Sequence, residues 1–132
     1  MQRKITLLII DDDSNVCETL KLHLERSHGF SVHTAQDGRS GLRLAQKIVP
    51  DVILLDVMMP GMSGGQVAET LREFRSTERI PVIFLTGALT KAEAEERGGE
   101  FGGELFLAKP VSGDEIAATV RSVLQRAASG RA

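Results

Sequence analysis

The chain has no tryptophan, no tyrosine, one cysteine and four prolines among its 132 residues. With only five phenylalanines, a stacking platform for bases is not expected. The lone Cys17 rules out an intramolecular disulfide and fits a reducing, cytoplasmic compartment. Long hydrophobic runs are missing too. The N-terminal stretch Ile5–Ile10 has six residues before three aspartates stop it, too short for a signal h-region or a membrane span. No charge sign dominates: the formal net charge is -2, which disfavours a nucleic-acid surface. Repeats and low-complexity segments are absent. No glycine-rich turn follows the first apolar run, so P-loop and dinucleotide sites are disfavoured.

What is present is an ordinary globular balance, 42% hydrophobic and 26% charged, in a chain long enough for one domain with a real core. Strand and helix signals alternate five times. Ile5–Ile10 reads as the first strand, and Asn15-Val16-Cys17-Glu18 has the form of a helix cap, followed by the apolar stripe Val16, Leu20, Leu24. Phe30–Ala35 alternates like a half-exposed or edge strand, Asp37-Gly38 turns, and Gly41–Ile48 is a short amphipathic helix. Val52–Leu55 is continuously apolar, as suits a strand buried on both faces, and it ends on Asp56.

Ser63-Gly64-Gly65-Gln66 is a capping box for a third helix with the stripe Val67, Leu71, Phe74. Ile80–Leu85 is a fourth strand, ending on Thr86-Gly87. Thr90-Lys91-Ala92-Glu93 caps a weak helix that Gly98-Gly99 cuts short, each glycine costing about 1 kcal/mol relative to alanine. Leu105–Ala108 is the fifth strand, followed by Lys109-Pro110 and a capping box at Ser112-Gly113-Asp114-Glu115. The pattern predicts an α/β fold, a doubly wound (βα)5 unit with a parallel five-stranded sheet covered on both faces.

In a parallel sheet all C-terminal strand ends share one edge. Asp11, Asp12 and Asp13 after the first strand, Asp56 after the third, Thr86 after the fourth and Lys109 after the fifth therefore converge. Crowded carboxylates repel and call for a cation, and hard oxygen ligands suit Mg²⁺. A hydroxyl and an ammonium beside such an ion are what a phosphoryl group needs. The residues alone thus suggest a Mg²⁺-dependent phosphoryl site with a carboxylate nucleophile.

From about Lys4 to Ala127 the chain resembles the receiver domain of two-component response regulators, of the chemotaxis-regulator type. The matching pieces are Ile9-Ile10-Asp11-Asp12-Asp13, Leu54 to Gly64 around Asp56, Phe84-Leu85-Thr86-Gly87, and Phe106-Leu107-Ala108-Lys109-Pro110. The resemblance implies a flavodoxin-like fold with strand order 2-1-3-4-5, residues 4–127 as the domain and 128–132 as a flexible tail or linker. It implies Asp56 as phosphoacceptor. Asp11, Asp12, Asp56 and the backbone carbonyl of Met58 would be Mg²⁺ ligands, with Mn²⁺ able to substitute. Thr86 and Lys109 would bind the phosphoryl group, and the Lys109–Pro110 peptide would be cis. Thr86 and Phe106 would be the switch pair, remodelling the surface of the fourth helix, fifth strand and last helix. The donor would be a histidine kinase or histidine phosphotransfer protein. The output partner is unnamed, no nucleic acid or membrane is implied for this domain, and dimerisation on phosphorylation is an option the family offers.

Phe106 lacks the hydroxyl of the tyrosine often found there, and Met58 and Ala88 place no polar group beside the phosphoryl position. Phe106 can still rotate but cannot hydrogen-bond a partner, while nothing at Met58 or Ala88 can hold an attacking water, which suggests a long-lived phosphorylated form. The weak fourth helix suggests an output face that is mobile until Asp56 is modified. Asp13 reads as a solvated residue at a helix N-terminus, Cys17 as core, and His23, His28 and His33 as having no metal or phosphotransfer spacing. Two alternatives stand beside the receiver. One is a haloacid-dehalogenase-like phosphatase with Asp11 as nucleophile, which Asp11-Asp12-Asp13-Ser14-Asn15 half matches. The other is a receiver-like binding module without phosphorylation.

Overall fold

The apolar runs become the parallel strands of one sheet. The computed structural model describes residues 3–87, 100–101 and 104–129. Its parallel strands are β1 (Thr6–Ile10), β2 (Ser31–Ala35), β3 (Val52–Asp56), β4 (Val82–Thr86) and β6 (Glu104–Ala108). A two-residue strand, β5 (Glu100–Phe101), runs antiparallel to β6. The sheet order is β2-β1-β3-β4-β6-β5. The five parallel strands stand in the expected order, and β5 extends one edge.

Alternation along each strand explains why these segments read as unbroken apolar runs. Leu7 and Ile9 of β1, Val52 and Leu54 of β3, and Ile83 and Leu85 of β4 enter one core with Cys17, Leu20 and Leu24 of helix α1 (Ser14–His28) and Ile116, Ala117 and Val120 of the C-terminal helix (Gly113–Ser129). Their neighbours Leu8, Ile10, Ile53, Leu55, Val82 and Phe84 enter a second core with Ala45 of α2 (Gly38–Ile48) and Val67 and Leu71 of α3 (Gly64–Leu71). Both faces of the sheet are dry, so neither parity can be polar. β2 pairs only with β1 and buries only Val32 and Ala35 of its five residues, as suits an edge strand.

Several boundaries differ from the sequence reading. Asp13, not Asn15, caps α1: its carboxylate accepts from the Asn15 and Val16 backbone N–H groups, so Asn15 already lies inside the first turn. Asp37 caps α2, which begins at Gly38, three residues ahead of the expected Gly41. α3 ends at Leu71, leaving Phe74 beyond the helix and 43% exposed rather than on its buried stripe. The capping boxes at Ser63–Gln66 and Ser112–Glu115 form with both reciprocal bonds. The helix expected from Thr90, with Ala88, Gly98-Gly99 and Gly102-Gly103, lies outside the described residues. Among the described residues, no helix is long and apolar enough to cross a membrane.

Candidate functional site

The C-terminal edge of the sheet is built from backbone geometry first. The Asp11 N–H donates to the Ala35 carbonyl at 3.0 Å, extending the β1–β2 ladder one residue past β1. This fixes Asp11 over the edge, fully buried. Its Oδ1 accepts from the Asp13 N–H at 3.0 Å, so the residue that caps α1 also locks the Asp11 carboxylate. Asp56 closes β3 in register with Leu85, and the next N–H, Val57, donates to the Leu85 carbonyl at 3.0 Å. The chain then returns so closely that the Gly64 N–H reaches the Val57 carbonyl at 3.0 Å. A Cβ on Gly64 would overlap the Asp56 carbonyl oxygen and stand 2.9 Å from the Val57 Cα. Only glycine lets α3 start this near the strand end.

β4 ends at the buried Thr86, whose carbonyl accepts from the Lys109 N–H at 2.8 Å. The Lys109–Pro110 peptide is cis. Lys109 then extends over the edge, its Nζ 2.9 Å from Asp11 Oδ2 and 3.3 Å from Asp56 Oδ1. The structure thus brings Asp11, Asp56, Thr86 and Lys109 from four strand ends to one place. Asp12 joins from the exposed side: Asp11, Asp12 and Asp56 each offer a carboxylate oxygen, all within 4.8 Å of one another. Met58 stands at the rim, 75% exposed. Phe106 stacks on Phe84, ring centres 5.1 Å apart.

Three carboxylates face one ammonium, and the electrostatics follow. Burial, and then the Asp11 charge, push the Asp56 carboxyl up, with Lys109 and the Met58 backbone pulling the other way. Burial disfavours the Lys109 ammonium, but its hydrogen bonds and charge contacts with Asp11 and Asp56 outweigh this and raise it. Asp11 Oδ2 is buried and faces the Lys109 ammonium at 2.9 Å. Three carboxylates gathered around a single lysine form an all-oxygen donor set with excess negative charge, which fits a hard divalent cation.

Two positioning features were not read from the sequence. The locking role of Asp13 was hidden because Asp13 and Asn15 are both competent caps. The need for glycine at 64 has no local signal, since it depends on a backbone approach from β3. His23 and His28 also share a partner, Asp114, that no sequence spacing announced.

Comparison with known proteins gives the same picture. The sequence profile of the response regulator receiver domain matches residues 7–121. The chain is 38% identical over 120 residues to the DNA-binding dual master transcriptional regulator RpaA of Synechocystis, covering 91% of this chain and 49% of that protein. It is 39% identical over 121 residues to the transcriptional regulatory protein AfsQ1 of Streptomyces coelicolor, covering 92% and 52%. The chain spans about half the length of these curated relatives. Among solved structures, chemotaxis protein CheY4 of Vibrio cholerae superposes with a TM-score of 0.76 at 30% identity, covering 92% of this chain and 99% of that one. The signal receiver domain of a signal transduction histidine kinase from Syntrophus aciditrophicus gives 0.73 at 32% identity, covering 91% and 89%.

Proposed function

This chain belongs to the response regulator receiver domains, phosphoacceptor modules of two-component signalling rather than enzymes, and from that premise we infer that Asp56 is the residue that takes the phosphoryl group. The observation that carries this reading is the placement of Lys109 Nζ within 3.3 Å of both Asp11 Oδ2 and Asp56 Oδ1 at the sheet edge. An ammonium held there by two buried carboxylates is poised to transfer its interaction to phosphoryl oxygens.

A partner histidine kinase or phosphotransfer protein supplies phosphohistidine. An Asp56 carboxylate oxygen attacks phosphorus, the P–N bond breaks, and the electron pair leaves on the imidazole nitrogen. Lys109 and the Thr86 hydroxyl hold the phosphoryl oxygens. Asp11, Asp12, Asp56 and the Met58 backbone carbonyl would hold Mg²⁺, or Mn²⁺ in its place. When bound, the ion supplies neutralisation of the charge that gathers on the phosphoryl oxygens. Thr86 moves toward the new group and Phe106 follows inward, biasing the surface around β6 and the C-terminal helix. Residues 4–127 make up the domain and 128–132 the tail or linker, into which the last helix runs as far as Ser129; the domain is placed in the cytoplasm. Two relatives carry a similar domain as about half of a transcriptional regulator, which supports an output of that kind; attachment to a histidine kinase is the second arrangement.

The test is intact mass after incubation with acetyl phosphate, with and without Mg²⁺, on wild type and Asp56→Asn. One phosphoryl adduct that needs both Mg²⁺ and Asp56 is expected. No adduct on a folded, Mg²⁺-binding protein would favour the unmodified binding module. An adduct on Asp11 would favour the phosphatase reading, which the burial of Asp11 and the Asp13 N–H on its Oδ1 disfavour.

A further inference from the structure

Among the described residues a second group of metal-competent side chains converges, apart from the acidic pocket: His23, His28 and Asp114. His23 and His28 both belong to α1, while Asp114 is in the first turn of the C-terminal helix. Five residues of helix turn two side chains roughly 140° apart, so a shared partner is not automatic. It arises here because the other helix begins with glycine. A Cβ on Gly113 would run into the His23 ring, and without one the ring lies against the backbone and turns its Nε2 to Asp114. Both Nε2 atoms lie 2.8 Å from the same oxygen, Asp114 Oδ1. The rings meet edge to face with centres 5.5 Å apart.

We propose that His23, His28 and Asp114 form a binding site for a divalent transition ion of the zinc class, clamping α1 to the start of the C-terminal helix. The donor set decides the class. Two imidazoles and one carboxylate suit Zn²⁺ and its neighbours, whereas Mg²⁺ takes oxygen ligands. Tetrahedral bonds of about 2.0–2.1 Å set ligand atoms roughly 3.3 Å apart. The present 2.8 Å contacts need to open by only a fraction of an ångström to admit the ion. Asp114 is 74% exposed and His23 39%, which leaves room for water at an open position.

The proton balance names a competitor. Without the ion each imidazole can donate an Nε2–H to Asp114. To ligate through Nε2, each must carry that proton on Nδ1 instead, with no net release. At His28 the Nδ1 already faces Arg121 Nη1 at 3.2 Å, and a guanidinium only donates. Arg121 must therefore withdraw from His28 when the ion binds. Its guanidinium lies 5.1 Å from the centre of the Phe30 ring, a contact it can keep. Arg121 thus sets the threshold for the ion. Asp114 follows Lys109 by five residues, so the clamp would hold the segment that carries the site lysine.

The test uses the full chain in excess Mg²⁺, which keeps the acidic pocket occupied, and titrates Zn²⁺ against a chromophoric chelator. Long-range ¹H–¹⁵N spectra report the imidazoles. Micromolar binding of one ion is expected, with both His23 and His28 moving to the Nδ1–H form and His33 unmoved. His23→Gln and His28→Gln, checked as folded by circular dichroism, should each weaken binding by about tenfold or more, the range typical when a metal shell is damaged. Arg121→Gln should tighten it several-fold, which a merely structural role would not produce. Zn²⁺ binding that survives both histidine changes, that Asp12→Asn abolishes, or that leaves both imidazoles in the Nε2–H form would overturn the proposal.

Discussion

Replacing Asp56 by asparagine should make the protein more stable at neutral pH, although it removes the residue on which the chemistry depends. The carboxylate is 4% exposed. Its nearest Asp11 oxygen is no more than 4.8 Å away, a repulsion of at least about 3.5 kcal/mol at an effective dielectric near 20. Lys109 at 3.3 Å returns about 5 kcal/mol on the same scale, and burial opposes the charge. The balance leaves the Asp56 carboxyl raised, with burial the largest cause and Asp11 the next. A carboxyl raised in the folded state binds its proton more tightly there than when unfolded. Stability is therefore highest below the unfolded pKa of about 4 and is lost as pH rises through the folded pKa. Asparagine cannot ionise, and its amide oxygen can still accept from Lys109. At pH 7, with metal chelated, we expect Asp56→Asn to be stabilised by on the order of 1 kcal/mol, seen as roughly 3–5 °C in Tm. Urea midpoints measured from neutral pH down toward the unfolded pKa of about 4 should show this gap narrowing as pH falls. With Mg²⁺ at about ten times its Kd the wild type should gain about 1.4 kcal/mol, which closes the gap from the other side. An Asp56→Asn variant less stable than wild type, or a gap that ignores both pH and Mg²⁺, would refute the reasoning.

Three further perturbations test separate links. Gly64→Ala drives a Cβ into the Asp56 carbonyl and the Val57 Cα, backbone atoms that cannot step aside; a loss of about 2–3 kcal/mol in urea unfolding is expected, with slower phosphorylation by acetyl phosphate. Val49 caps α2 at φ 45°, a left-handed conformation that a β-branched residue adopts only under strain, so Val49→Gly at this half-exposed position should stabilise by about 0.5–1 kcal/mol, read as a higher urea midpoint. Met58→Asn places an amide at the exposed rim of the site; a hydrogen bond worth about 1 kcal/mol to the attacking water should shorten the half-life of the phosphorylated form about fivefold, and an unchanged half-life would count against Met58 as a determinant of its lifetime.

Most of the fold was legible because the sheet is buried on both faces. Leu7, Leu8, Ile9 and Ile10 alternate between two cores, so the strand reads as one apolar block that no amphipathic helix would imitate. Such blocks end where the chain leaves the core, and a parallel sheet puts every such end on the same edge. That is why Asp11, Asp56, Thr86 and Lys109 were recognisable as a set before any distance was known. Helix boundaries were less legible because local chemistry allowed two answers. Asp13 and Asn15 are equivalent caps as residue types, and the choice falls to Asp13 because its own N–H is held by Asp11. Phe74 continued the stripe of α3 in sequence, but the helix stops at Leu71, where the Thr77 hydroxyl takes the Leu71 carbonyl at 2.6 Å and turns the chain away.

Contacts between helices obey no comparable rule. His23 and His28 are separated from Asp114 by 91 and 86 residues, and no periodicity links them. Their meeting depends on the packing of α1 beside the C-terminal helix and on the missing side chain at Gly113. Sequence periodicity locates each helix face against the sheet, because the sheet is a common reference for all of them. It does not fix where one helix crosses another, since that depends on the volumes of the side chains between them. Sites at strand ends are therefore collinear with the sequence pattern, and sites between covering helices are not. In this protein the phosphoryl pocket is of the first kind and the His23–His28–Asp114 cluster is of the second.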